Sequence, residues 1–303
     1  MKRIEKAWIK LKENIDSEDY ELIQQLQERC LEHDKTALKV ELDYKLGVAG
    51  ARSGVQSINE FMCFDGERLI GYIGICSFGG PWEVNGMVDP EYRRQGVFTK
   101  LFELVLAEAK RKETKGMLLL SDRLSDSGQK FIAATGARYN HSEYEMYLKG
   151  ETIQQQPGLS FRKATNADAK EIARQNVIYF NDEREAEVKP EDMIMPEEEE
   201  KRGMTCYLVE KDEEIIGKVN LQLTSKLGAI FGLGVLPEHR RKGYGRSLLL
   251  MAIEKLKEAN AKDIMLQVAA ENKNALNLYK SCGFEETSTM DYYFLQSEVV
   301  MEA

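Results

Sequence analysis

Between Gly234 and Leu250 the sequence runs Gly-Val-Leu-Pro-Glu-His-Arg-Arg-Lys-Gly-Tyr-Gly-Arg-Ser-Leu-Leu-Leu. This reads as the end of a strand, a basic turn with glycines, and the first turn of an amphipathic helix. Gly243 and Gly245, one residue apart, let backbone approach a ligand closely. The first turn of a helix leaves N–H groups unpartnered and carries the positive end of the helix dipole. Arg240, Arg241, Lys242 and Arg246 add cationic side chains around it. The chemistry such a stretch supports is recognition of a phosphate or pyrophosphate. It has neither the Gly-Lys-Ser/Thr ending of a nucleotide P-loop nor the Gly-x-Gly-x-x-Gly of a dinucleotide site.

A second stretch, Val268 to Phe284, follows the same logic of strand end and helix start. Asn272 is placed to cap a helix, and Leu278-Tyr279 falls near that helix's end, before Gly283. Arg240-x-x-Gly243-x-Gly245 resembles the coenzyme A pyrophosphate loop of the GNAT N-acetyltransferase superfamily. Asn272-x-x-Ala275-x-x-Leu278-Tyr279-x-x-x-Gly283-Phe284 resembles that family's other signature. The resemblance covers nearly all of Arg162 to Leu295 and, more weakly, the first half of the chain.

The resemblance implies an α/β fold with a mixed sheet, built as two tandem GNAT-like acyl-CoA N-acyltransferase domains. It implies acetyl-CoA as cosubstrate, with no metal, bound in a V between two splayed parallel strands, here Ile230 to Val235 and Asp263 to Val268. Backbone groups of Leu233, Gly234 and Val235 would pair with pantetheine and polarise the thioester carbonyl. Arg240, Arg241, Lys242, Gly243, Tyr244, Gly245 and Arg246 would surround the pyrophosphate, and Asn272 would hold the pantetheine arm. An amine would attack directly, and Tyr279 would protonate the departing thiolate as general acid. The alternative is a non-catalytic acyl-CoA-binding or interaction protein that keeps the shell without turnover.

The elements that would position these residues occur twice. Val88-Asp89-Pro90-Glu91-Tyr92-Arg93-Arg94-Gln95-Gly96 parallels Val235 to Gly243, at an offset of 147 (243 − 96). Thr135-Gly136-Ala137 parallels Cys282-Gly283-Phe284 at the same offset, and Leu69-Ile70-Gly71 parallels Ile215-Ile216-Gly217. The halves are predicted as 1–150 and 151–303, the second catalytic. In the first, helices are expected over 17–33 with Ser17 as cap, and around 36–47. A hairpin follows at 61–64 and 69–76, with strands at 82–88, 116–120 and 144–148 and helices at 97–111 and 125–134. The second repeats the order: helix 167–180, hairpin 206–210 and 214–223, strand 230–235, helix 244–259, strand 263–268, helix 274–281. The acidic segment from Asn181 to Arg202, with Glu197 to Glu200, reads as solvated.

The first half departs from both signatures. Phe98 stands where the second loop glycine would be, Ile132 at the position of Tyr279, Ser125 at that of Asn272, and Gly128 at that of Ala275. Isoleucine has no proton to give. Glu83 sits on a strand where some family members place a base, and is read as structural. For the second half the base is open, with Glu183, Glu185 or a water chain as candidates; His239 is read as a surface or phosphate-side residue.

Composition bounds the rest. The 303 residues suit two domains, and the net charge of −9 argues against general nucleic-acid binding. No apolar run reaches the roughly 20 residues that cross a bilayer. Five scattered cysteines without Cys-x-x-Cys and three histidines give no zinc spacing and fit a reducing cytoplasm. The expected partner is a small-molecule or peptide amine, with neither nucleic acid nor membrane. The chain is expected to act as a monomer with pseudo-dimeric domains or as a homodimer.

Overall fold

The computed structural model describes residues 1–47, 56–77, 80–150, 159–180, 193–224 and 226–296. The chain groups into two compact units: Met1–Glu143 together with the stretch from Ser288, and Tyr144–Thr287.

The first unit opens with β1 (Ala7–Lys12) and α1 (Ser17–Asp34). Asp16, rather than Ser17, caps α1. Its carboxylate accepts from the Asp19 N–H while Asp19 reaches back, a capping box that a Ser one residue later cannot form. Residues 36–41 are not helical; only Leu42–Gly47 forms α2, because Lys35 at the end of α1 and Glu41 take left-handed φ of 58° and 53°. Next come β2 (Glu60–Asp65), β3 (Arg68–Cys76), β4 (Trp82–Val88), α3 (Val97–Arg111), β5 (Gly116–Asp122) and α4 (Asp126–Thr135). Leu101, Phe102 and Val105 of α3 pack on Ile70, Ile73 and Val84 of the sheet. The helical period of α3 and the strand period of β3 therefore bury one common apolar layer.

Strand β6 (Arg138–Leu148) is longer than predicted, and its residues from Tyr144 group with the second unit. The first sheet has the order β1-β2-β3-β4-β5-β12, where β12 is Phe284–Gln296. Met290 to Gln296 lie antiparallel to Asp122 to Gly116. Met290, Tyr292 and Phe294 meet Leu118 and Leu120 there, so β12 completes the first unit's core.

The second unit contains β7 (Ser160–Lys163), α5 (Ala169–Phe180), α6 (Pro196–Lys201), β8 (Met204–Lys211), β9 (Glu214–Thr224) and β10 (Leu227–Val235). These are followed by α7 (Tyr244–Glu258), β11 (Asp263–Ala269) and α8 (Lys273–Ser281). Its sheet order is β6-β11-β10-β9-β8-β7. Leu248, Leu249, Ala252 and Leu256 of α7 are buried against Ile216, Val219 and Ile230. Glu197 to Glu200 lie in α6, with Glu197 and Glu198 exposed.

Candidate active site

Strands β10 and β11 are parallel neighbours only from Leu227–Asp263 to Ile230–Leu266. Beyond that point they have no register, so the edge of β10 that faces β11 is unpaired from Phe231 to Val235. On its other edge β10 carries a bulge: Phe231 pairs with Asn220 and Gly234 with Lys218, so two residues, Gly232 and Leu233, oppose one. Gly232 takes a φ of 54°, which only a residue without a Cβ adopts at low cost. Bulges re-aim backbone groups, and this one sits where the two strands part.

The loop after β10 brings the predicted phosphate residues to one place. Arg241 (φ 63°) and Gly243 (φ 86°) are left-handed, and Gly243 starts α7 with no side chain capping it. The N–H groups of Tyr244 and Gly245 are thus left for a ligand, while that of Arg246 donates to the Gly243 carbonyl at 3.1 Å. A Cβ on Gly245 would meet nothing nearer than Leu278 at 3.5 Å, so the space beside it is open. The cations differ in their tasks. Arg240 donates from Nε to the Val235 carbonyl at 2.9 Å, bracing the strand end. Lys242 donates to the Glu238 carbonyl at 3.0 Å. Arg246 is tied to Ser281 of α8 at 3.0 and 3.2 Å. Arg241 and Lys242 are exposed, and Tyr244 is half-buried.

Tyr279 lies near the end of α8, 8% exposed, with its ring edge-on to Phe284 at 6.2 Å. Burial pushes its hydroxyl up to about 12, so the phenol holds its proton at neutral pH. It makes no hydrogen bond to any described residue. Asn272 accepts the Ala275 N–H at 3.1 Å, so its carbonyl oxygen caps α8 while its amide nitrogen is left over. Leu233 and Gly234 are half-buried and Val235 is buried. The Tyr179 ring of α5 lies on Gly234: a Cβ there would meet it at 2.2 Å. His239 turns away toward Glu214, at 3.5 Å. Glu183 and Glu185 lie outside the described residues.

Sequence reasoning missed Lys218. It is fully buried, 0% exposed, on β9 opposite Gly234 of the bulge. Its amine makes a long 3.4 Å contact to the Gly232 carbonyl and lies 6.0 Å from the centre of the Tyr179 ring. Desolvation lowers its pKa. The only signal in the sequence is a charge on the strand Glu214 to Leu223, where alternation puts it on one face with Ile216, a buried position.

The first unit supplies a control. Its loop repeats the backbone: Arg94 (φ 61°), Gly96 (φ 78°), and Arg93 Nε on the Val88 carbonyl at 3.0 Å. β4 and β5 also part after Val84–Leu119, and a cleft of about 680 Å3 opens there. Yet β4 pairs with β3 in unbroken register from Val88 to Glu83, without a bulge. Phe98 lines the cleft and packs edge-on against Phe131 at 4.6 Å. Ile132 is buried where the second unit has its phenol. Burial raises the pKa of Glu83, whose nearest cation, Lys39, is 3.8 Å away. No cluster of potential metal ligands occurs among the described residues.

A model of the acetyltransferase (GNAT) family matches residues 20–127 and 171–284. An N-alpha-acetyltransferase of Sulfurisphaera tokodaii is 30% identical over 105 residues, 30% of this chain and 63% of that protein. The chain therefore spans less than two thirds of the length of that relative. A mycothiol acetyltransferase of Kytococcus sedentarius is 25% identical over 244 residues, 75% of this chain and 78% of its own length. Among solved structures, a GCN5-related N-acetyltransferase from Sphaerobacter thermophilus superposes with a TM-score of 0.75 at 15% identity, over 96% of both chains. A tandem GNAT protein from the clavulanic acid biosynthesis pathway gives 0.73 at 16%, over 96% of this chain and 99% of its own. At such identities these two likenesses speak to the fold.

Proposed function

The chain belongs to the acetyltransferase (GNAT) family, and from that premise we propose that it moves an acetyl group from acetyl-CoA to a primary amine, in its second unit. The observation that carries the reading is an asymmetry. The bulge in β10 and a buried phenol on α8 with no hydrogen-bond partner among the described residues occur together in the second unit; in the first, β4 runs without a bulge and Ile132 stands at the phenol's place.

The N-terminal turn of α7, with the N–H groups around Gly243, Tyr244 and Gly245 and the charges of Arg241, Lys242 and Arg246, holds the pyrophosphate of the coenzyme. Arg240 keeps the strand end in place through Val235. The unpaired edge of Leu233, Gly234 and Val235 takes the pantetheine arm and polarises the thioester carbonyl, where negative charge develops as the amine attacks. The amide nitrogen of Asn272 is free to hold the same arm. Tyr279 gives its proton to the departing thiolate. A thiol of ordinary pKa about 8.5 becomes more basic in a dry site, so a phenol is a competent donor. No covalent enzyme intermediate is needed.

The acceptor we propose is a small-molecule or peptide amine, which the named relatives and the net charge of −9 both favour. The five cysteines are free and buried, which suits a reducing cytoplasm. The test is free-thiol release from acetyl-CoA across a panel of primary amines, with calorimetry of coenzyme A in parallel. Amine-dependent release supports the reading. Coenzyme binding without release on any amine supports a non-catalytic acyl-CoA-binding protein instead.

A further inference from the structure

Lys218 poses a problem that the described residues of the second unit do not solve. A buried ammonium is costly unless a carboxylate faces it. The first unit shows the solved version at the matching place. In β2 and β3, Glu60 pairs with Gly74 and Met62 with Tyr72. In β8 and β9, Cys206 pairs with Asn220 and Leu208 with Lys218, in the same register. The buried Lys45 is held there by both oxygens of Glu60, at 2.8 and 3.0 Å, with the Tyr72 hydroxyl donating to the same carboxylate. In the second unit Cys206 stands at the place of the carboxylate and Lys218 at that of the phenol, and no carboxylate among the described residues pairs with the amine.

The groups facing Lys218 can be named. From β8 there is Cys206, a thiol that burial pushes up to about 11 and thus keeps neutral. From α5 there is the ring of Tyr179, whose hydroxyl donates to Gln175 at 2.8 Å. From β10 there are the glycines of the bulge. An added Cβ on Gly232 would lie 3.2 Å from Nζ of Lys218 and 3.3 Å from Nδ2 of Asn220. None of these is an anion. The amine is held against the segment of β10 that the proposed reaction uses, on the face walled by Tyr179.

We propose that Lys218 is the general base that takes the proton of the acceptor's ammonium. The proposal rests on the acetyl-transfer reading above. In the step, the lone pair of the neutral amine takes a proton from the acceptor nitrogen. The freed amine forms a C–N bond to the thioester carbon, the C–S bond breaks, and sulfur leaves with the bonding pair and receives the Tyr279 proton. Of the two protons lost by nitrogen, one restores Tyr279 and the other passes through Lys218 to water. The products are amide, thiol and one proton.

The experiment compares wild type with Lys218→Met, which keeps length and apolar volume. Probes are ethylamine and a tetrapeptide with a free N-terminus, with acetyl-CoA as donor. Expected is a fall in kcat/KM of roughly 100-fold or more at pH 7, loss of the acid limb of the wild-type pH profile, and coenzyme A affinity within about twofold. Urea unfolding of both proteins from pH 6 to 10 shows that the variant folds and reads the charge independently of turnover. The folded-state pKa of Lys218 is lowered, so the unfolded chain binds more protons between that value and about 10.4. Wild type therefore gains stability over Lys218→Met as pH rises through this window. A difference that stays flat with pH, or turnover by Lys218→Met with the wild-type acid limb intact, overturns the base and leaves acetyl transfer standing. No amine-dependent thiol release by wild type, with the pH-dependent gain present, overturns the acetyl-transfer reading and the base with it.

Discussion

Tyr279 and Ile132 occupy one position in the two copies, and both are buried. Only one of them carries a proton. In Tyr279→Phe the ring still packs on Phe284, so coenzyme affinity is expected to stay within about twofold while kcat falls roughly 100-fold, the scale of lost acid catalysis. Single-turnover thiol release and calorimetry check this. Lys45 offers a contrast in the first unit. Lys45→Met leaves the Glu60 carboxylate buried without its cation, which costs about 3–5 kcal/mol; the urea midpoint of the first unit reads it. At this scale the sequence showed the loop and the phenol because each is tied to a short local pattern. It hid Lys218, because which groups face a lysine is a fact about strand neighbours, and Leu208 and Cys206 of the adjacent strand lie elsewhere in the chain.

Among the elements, those with a strong apolar period were legible: Trp82–Val88 and Val97–Arg111 fall where the sequence put them. The misses share a cause. β1 and β7 are edge strands, and β12, not expected as a strand at all, turns polar at Glu285-Glu286-Thr287, so the identity of all three is settled by a neighbour rather than by their own alternation. The bulge at Gly232 was equally invisible, since glycines in a strand do not say which way the register shifts. At the entry to the second unit, Arg162 grips Asp168 through both oxygens at 2.8 Å and also holds Glu210. The Arg162 hydrogen bonds hold Asp168 down at about 2, below the usual carboxylate value. A depressed carboxyl stabilises the fold above its unfolded pKa and ceases to do so as pH falls through the folded one. Asp168→Asn is therefore expected to lose about 2 kcal/mol at pH 7, the scale of hydrogen bonds to a charged group. The gap between variant and wild type should close between about pH 4 and pH 2, as followed by urea melts across that range.

At the scale of the molecule, the repeat in the sequence is a repeat in the fold, but the closing strands are not partitioned as the order of the chain suggests. Tyr292 is 1% exposed in the first unit's core although it lies near the end of the sequence. Tyr292→Ala is expected to cost about 3–5 kcal/mol. Hydrogen exchange should show protection lost along Gly116–Asp122, its partner strand, before it is lost along β10. The two units keep one loop conformation and differ in the bulge, the phenol and the aromatic that fills the first cleft. In the proposed reaction the second loop, and not the first, holds the coenzyme. This is tested most directly by putting a carboxylate at the same place in each: Arg246→Glu at the start of α7 and Thr99→Glu at the start of α3, both on side chains outside the buried cores. The measurement is kcat/KM for acetyl-CoA with a primary amine that the wild type accepts. The expected result is a fall of at least about tenfold in Arg246→Glu, with Thr99→Glu within about twofold of wild type, because like charges repel the pyrophosphate only where it binds. A loss confined to Thr99→Glu, or equal rates in all three proteins, would contradict it.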